Sequence, residues 1–144
     1  ARHAGAAEIV FYREEDFLER VLSMTHGKGV DVVFDSVGAD TFVKSMQCLD
    51  YGGSLVNYGQ SSGPVQPFTP SDLAKKSLSV SRPIIFHFMR ERGDLELLAT
   101  ETFKAFENGL FKPVDPVAFQ LSEAADAHRL LEARKSPGGV VLIP

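Results

Sequence analysis

The chain has 144 residues, 44% of them hydrophobic, which suits one domain or slightly more with a packed core. Charge is mildly acidic, 15 Lys and Arg against 19 Asp and Glu, and the basic residues are scattered, which argues against nucleic-acid and anionic-membrane partners. No apolar run approaches the roughly 20 residues that span a bilayer, and the single cysteine together with the lack of a signal peptide favours a cytoplasmic protein over a disulfide scaffold.

The opening residues Ala1 to Ala4, followed by Gly5, read as the last turn of a helix and its C-terminal glycine. The chain is therefore expected to begin inside a βα repeat. Glu8 to Tyr12 is strand-like. Glu14, Glu15 and Asp16 then place negative charge where a helix N-terminus favours it. Phe17, Val21 and Leu22 give that helix an apolar stripe, and Gly27 and Gly29 end it. Val30 to Val37 is apolar on both parities, the pattern of a parallel strand covered on both faces.

A second helix is expected from about Asp40, with Phe42, Met46 and Leu49 on one face and Gly52-Gly53 as its stop. Ser54 to Tyr58 is the next strand, followed by a loop rich in Ser, Gly and Pro from Gln60 to Pro70. A short helix around Asp72 to Lys76 precedes the strand Leu78 to Ser81. Arg82-Pro83 places that strand at a sheet edge or ends its pairing, because proline has no backbone donor. Asp94 to Asn108 is amphipathic and stops at Gly109. Val117 to Leu121 is strand-like, Ser122 is a candidate helix cap, and Gly138-Gly139 turns into a last strand, Val140 to Ile143. Strands and helices alternating at this spacing predict an α/β fold with a mostly parallel sheet.

Open parallel sheets bind ligands at the carboxyl ends of their strands. Two such ends carry hydroxyls and glycines: Asp35-Ser36-Val37-Gly38 and Tyr58-Gly59-Gln60-Ser61-Ser62-Gly63. Ordinary turn chemistry uses the same residues, so a ligand site and a plain turn both remain open. Asp35 is read as a turn acceptor and not as a base. The glycine-rich pyrophosphate fingerprint is absent, and Gly27-Lys28-Gly29 precedes a strand where the fingerprint must follow one. Cys48 reads as a buried apolar residue, the four histidines form no zinc pattern, and no nucleophile or catalytic residue stands out.

In this order and spacing, the motifs resemble the zinc-free quinone oxidoreductases of the medium-chain dehydrogenase/reductase superfamily. They run from Val10-Phe11-Tyr12-Arg13-Glu14-Glu15-Asp16-Phe17 through Gly29 to Gly38, Tyr58 to Gly63 and Arg82-Pro83. They end with Ala127-His128-Arg129-Leu130-Leu131-Glu132, Arg134 and Val141-Leu142-Ile143-Pro144. The resemblance implies an enzyme that passes a hydride from NADPH to a quinone or other activated alkene. An enoyl or 2-alkenal reductase, or a non-catalytic crystallin-like or RNA-binding relative, are the alternatives.

The resemblance also implies roles for residues. Tyr12 would lie near the 2'-phosphate end of NADPH, and Ser36 and Val37 beside the cofactor. Tyr58, Gly59, Gln60 and Ser61 would line the crevice, with Gln60 standing where Asn is commoner. Pro83 to Phe86 would approach the nicotinamide, and Arg134 would contact the cofactor. A homodimer paired through the edge strand Leu78 to Ser81 is implied as well.

On this reading the fold is an incomplete Rossmann-type doubly wound sheet. Residues 1–110 are the C-terminal part of the nucleotide-binding domain, and 111–144 are the return segment of a catalytic domain. In the strand order 3-2-1-4-5-6, Glu8 to Tyr12 is strand 3 and Val30 to Val37 is strand 4. The two missing strands would leave a slot of roughly 15 Å. The slot is expected to close, to be filled by another copy, or to leave strand 3 detached. A chain without the pyrophosphate turn is expected to be inactive alone.

Overall fold

The computed structural model describes residues 1–111, 114–133 and 135–144, with His3 described by its backbone alone. They form two compact units, Ala1–Glu96 and Leu97–Pro144.

In the first unit, helix α1 (Phe17–Met24) is capped by Asp16, whose carboxylate accepts from the Leu18 N–H at 2.9 Å. The same carboxylate meets Lys44 Nζ at 2.6 Å. The helix stops where expected. Thr25 Oγ1 donates back to the Val21 carbonyl and accepts from the Gly29 N–H. Gly29, at φ 97°, lies so close to the next strand that a Cβ would stand 2.5 Å from the Cys48 carbonyl oxygen. Only glycine allows that approach.

Strands β1 (Val30–Asp35), β2 (Leu49–Asn57) and β3 (Ser79–Ser81) form a parallel sheet in the order β1-β2-β3. Val33 pairs with Leu55, and Leu55 with Val80, so one row of apolar side chains crosses one face. Helix α2 (Phe42–Gln47) supplies the layer against it: Phe42, Leu49 and Leu55 are the buried core, and Val33, Met46 and Val80 pack around them. The short helix α3 (Pro70–Ala74) carries a capping box between Thr69 and Asp72. It leads into β3, which stands at the sheet edge as Arg82-Pro83 foretells.

Several expectations are corrected. Glu8 to Tyr12 forms no strand and pairs with none of the described residues; its only ordered start is a turn at Tyr12. A strand needs a ladder partner, and the sheet offers this segment none that it takes up. The second face of β1 is not covered: Val32 is 46% exposed and Phe34 70%, because α2 packs only on the Val33 side. The α2 helix is also shorter than its apolar pattern suggests. It ends at Gln47, with Cys48 as its C-cap, and Leu49 already pairs with Val30. Gly52 and Gly53 belong to a bulge of β2, between the Val30–Leu49 and Val32–Ser54 pairs, and do not close the helix.

Helix α4 spans Arg92–Glu107. In the second unit, β4 (Val117–Gln120) and β5 (Val140–Ile143) pair in parallel, joined through α5 (Ala124–Glu132) with Ala127 buried. Ser122 is not the cap. The Gln120 N–H donates to Glu123 Oε2 at 2.9 Å, in a capping box around the 3-10 turn Leu121–Glu123 that opens the helix. Among the described residues no helix is long and apolar enough to cross a membrane.

Candidate functional site

The carboxyl ends of β1 and β2 are adjacent, and each runs into one of the hydroxyl- and glycine-bearing loops. Asp35, the last residue of β1, is 4% exposed. Its Oδ1 accepts from the Val37 N–H at 2.8 Å and the Gly38 N–H at 3.0 Å. Its Oδ2 accepts from Thr41 Oγ1 and Ser45 Oγ, both at 2.8 Å. Burial pushes this carboxyl up, but the four donors outweigh it and hold the group below the ordinary aspartate value. Asp35 is thus a turn acceptor, as its position suggests, and it also ties the turn to α2.

Asn57, the last residue of β2 and the register partner of Asp35, is 2% exposed. Its Nδ2 donates to the Gly59 carbonyl at 2.9 Å and the Asp35 carbonyl at 3.3 Å. The two loops are then stitched together. Ser61 N–H donates to the Ser36 carbonyl, and Ser62 donates to the Val37 carbonyl through both N–H and Oγ. Ser62 Oγ in turn accepts from the Asp40 N–H. The fit is close at two glycines. A Cβ on Gly59 would lie 2.6 Å from the Ser36 oxygen, and one on Gly38 (φ 89°) 2.7 Å from the Gly63 oxygen.

Two grooves flank this stitched pair. One, of about 280 Å³, is lined by Val10, Tyr12, Phe17, Val33, Phe34, Ser36 and Val37, together with Asp35, Thr41 and Ser45. The other, of about 560 Å³, is lined by Tyr58, Arg82, Pro83, Ile84, Ile85 and Phe88. Tyr12, Ser36 and Val37 are therefore together in one groove, and Tyr58 and Pro83 in the other. Gly59, Gln60 and Ser61 form the loop at the end of β2. Phe86 is 73% exposed on the 3-10 turn Ile85–Phe88 and is not among the lining residues. Arg134 lies outside the described residues.

The sequence reading passed over Asn57, Thr41 and Ser45 as site residues. The only signals were weak: polar side chains four apart in a helix that follows a strand-terminal Asp, and an amide closing an apolar strand. Arg82, Ile84, Ile85 and Phe88 come into one groove only because the chain turns after β3.

Nearly the whole chain, not one motif, matches a known family model: residues 4–142 fit the zinc-binding dehydrogenase model. The chain belongs to the zinc-binding dehydrogenase family, within the medium-chain dehydrogenase/reductase superfamily. It is 39% identical over 147 residues to quinone oxidoreductase 1 of Escherichia coli, covering 100% of this chain and 45% of that protein. It is 38% identical over 146 residues to a 2-haloacrylate reductase of Burkholderia, covering 100% of this chain and 44% of that one. A crystal structure of E. coli quinone oxidoreductase complexed with NADPH superposes with a TM-score of 0.87 at 39% identity, over 99% of this chain and 45% of that one. The fold is accordingly that of the C-terminal, Rossmann-like part of these dehydrogenases. The chain spans about 45% of the length of the curated relatives it matches.

The family's descriptive name includes zinc. Among the described residues, no three His, Cys, Asp or Glu side chains converge into a metal-binding group.

Proposed function

We propose that this chain forms the strand-end wall of the cofactor crevice in an NADPH-dependent oxidoreductase that reduces a quinone or a related activated alkene. The observation that carries this reading is the pair of stitched loops at the carboxyl ends of β1 and β2, with a groove on either side. The residues fit the uncharged parts of such a cofactor. Gly38 and Gly59 let the two loops pack directly against each other, and the groove of Tyr58, Pro83, Ile84, Ile85 and Phe88 suits a flat ring.

When bound, the nicotinamide would supply the hydride. Tyr58 and Pro83 would flank its ring, and Ser36, Val37, Gly59, Gln60 and Ser61 would hold the adjoining ribose. Tyr12 would contact the adenosine end, and Arg134 a further part of the cofactor. Ile84, Ile85 and Phe88 would exclude water from the reacting face. A second acceptor class, an unsaturated acid, is favoured by Arg82. Arg82 lines the same groove; its guanidinium donates to the Pro83 carbonyl at 3.1 Å and, among the described residues, forms no ion pair with an acid.

We further propose that the edge of β3 that no described strand pairs joins two copies of the chain into one continuous sheet, an assembly that light scattering on a sizing column would read.

The experiment is saturation-transfer NMR of the chain with millimolar NADPH. Transfer to the nicotinamide and ribose protons, with shifts in the Ser36–Gly38 and Tyr58–Ser61 amides, is expected. No transfer and no shifts would reject the reading. Turnover with a small quinone is expected to be negligible, since no glycine-rich pyrophosphate turn follows any strand of this chain.

A further inference from the structure

We propose that Asp35 is a positioning residue of the crevice: it holds the Ser36–Gly38 turn against the Tyr58–Gly63 loop in the shape that receives the cofactor, before any ligand arrives. The proposal rests on the cofactor reading above and adds a role to Asp35, which lines the smaller groove but whose two carboxylate oxygens are taken up by the turn and by Thr41 and Ser45.

The geometry is specific to one carboxylate. Oδ1 takes the two N–H groups of the turn, and Oδ2 takes two hydroxyls from α2, Thr41 and Ser45. The turn is thereby fixed to a helix and cannot swing away from the sheet. What the turn then offers on its other side is its carbonyls, and these are the acceptors for the second loop. Ser36 and Val37 carbonyls receive Ser61 N–H, Ser62 N–H and Ser62 Oγ. Displacing the turn would therefore displace both loops. A chain of this kind couples its members, because each bond is made only when the previous one is in register.

The same arrangement decides which part of a nucleotide can lie here. A turn binds phosphate through free N–H groups that converge on the anion. In this turn the Val37 and Gly38 N–H groups are already taken by Asp35. A buried carboxylate behind them also repels an anion. The turn is built for an uncharged moiety, a ribose or a carboxamide, and not for a phosphate.

The test compares the wild-type chain with Asp35→Ala and Asp35→Asn by amide exchange and by NADPH-induced shifts. Asn keeps an acceptor for the turn N–H groups, and the two hydroxyls can rotate to accept from its amide. In Asp35→Ala the Val37 and Gly38 amides are expected to exchange on the order of tenfold faster or more. NADPH shifts at Ser36 and Val37 are expected to vanish and those at Gln60 and Ser61 to shrink, while Leu55 and Phe42 core signals persist. Asp35→Asn should restore most of both effects. If the Ala variant does not fold, Thr41→Val with Ser45→Ala removes the helix half of the contact. It should speed the same two amides and weaken the same shifts. Inorganic phosphate at equal concentration should leave the turn amides unmoved.

NADPH shifts in the Ala or Thr41/Ser45 variants equal to those of wild type would overturn the proposal and spare the cofactor reading. So would phosphate shifts at Val37 and Gly38 as large as those from NADPH. Fast exchange in the variants with no NADPH shift in the wild type would reject the cofactor reading, and with it the positioning role.

Discussion

Asp35 and Asn57 are register partners at the ends of β1 and β2, and the side chain of each secures the loop that follows its own strand. The Asn57 side chain donates to the Asp35 carbonyl at 3.3 Å, and the Tyr58 N–H donates to the same oxygen at 2.9 Å. Both side chains are buried, and among the described residues no fully buried side-chain polar atom lacks a hydrogen-bond partner. The low-dielectric setting makes such a network strong when complete and costly when broken.

The tightness of that seam gives the first prediction. Gly59→Ala must push a methyl against the Ser36 carbonyl, and Gly38→Ala must do so against Gly63 while also holding a positive φ. Each is expected to cost about 1–3 kcal/mol from overpacking, with Gly38→Ala the larger because of the added backbone strain. Gly109→Ala, at φ 70° with open space around it, isolates the strain alone. Urea denaturation measures all three. A Gly59→Ala chain as stable as wild type would show that the seam has slack.

The second prediction concerns acid. Asp35 has its carboxyl held below the ordinary value of 3.8 in the fold, so the unfolded chain takes up its proton first. Its contribution is present above that ordinary value and is lost as pH falls through the folded value. Wild type should be more stable than Asp35→Asn at pH 7, and the gap should close on acidification below about pH 4. Asp16, Asp50 and Asp72 are lowered too, but they are common to both proteins and cancel in the difference. Parallel stability curves down to pH 2.5 would assign the acid sensitivity elsewhere.

The third prediction uses the two faces of one sheet. Leu55 is fully buried and Phe34, on the neighbouring strand, is 70% exposed. Leu55→Ala should cost about 2–5 kcal/mol. Phe34→Ala should change stability by no more than about 0.5 kcal/mol. Phe34→Lys should lower concentration-dependent light scattering, because an exposed apolar patch of sheet invites association. A large loss from Phe34→Ala would mean that this face is covered in solution.

Cys48 supplies the fourth. It is 2% exposed, and burial first, then the charge of Asp16, raises its thiol to about 11. Reaction with a disulfide reagent at pH 8 should be slow in the native chain and immediate in denaturant, since the thiolate is the reactive form. Fast native labelling would mean that the end of α2 opens readily.

Much of this molecule was legible in short stretches of sequence. The Asp16 cap, the helix stop at Gly27 and Gly29, and the α/β alternation depend on contacts within a few residues, and local physical chemistry decides them. Asp35 could be read as a turn acceptor for the same reason, since two of its donors are Val37 and Gly38. Other features could not be read this way. Glu8 to Tyr12 has the composition of a strand, but a strand exists only where a neighbour offers a ladder. The apolar run of β1 reads as covered on both faces, and only the packing of α2 shows that one face stays open. The bulge at Gly52 and Gly53 follows from where Leu49 and Ser54 meet β1. Asn57 becomes meaningful only because parallel pairing sets it beside Asp35, 22 residues away in the chain. Sequence determined the Asp16 cap, the turn at Asp35 and the family. Tertiary structure decided which polar groups are buried together, because hydrogen bonds and burial depend on neighbours that the chain brings from afar.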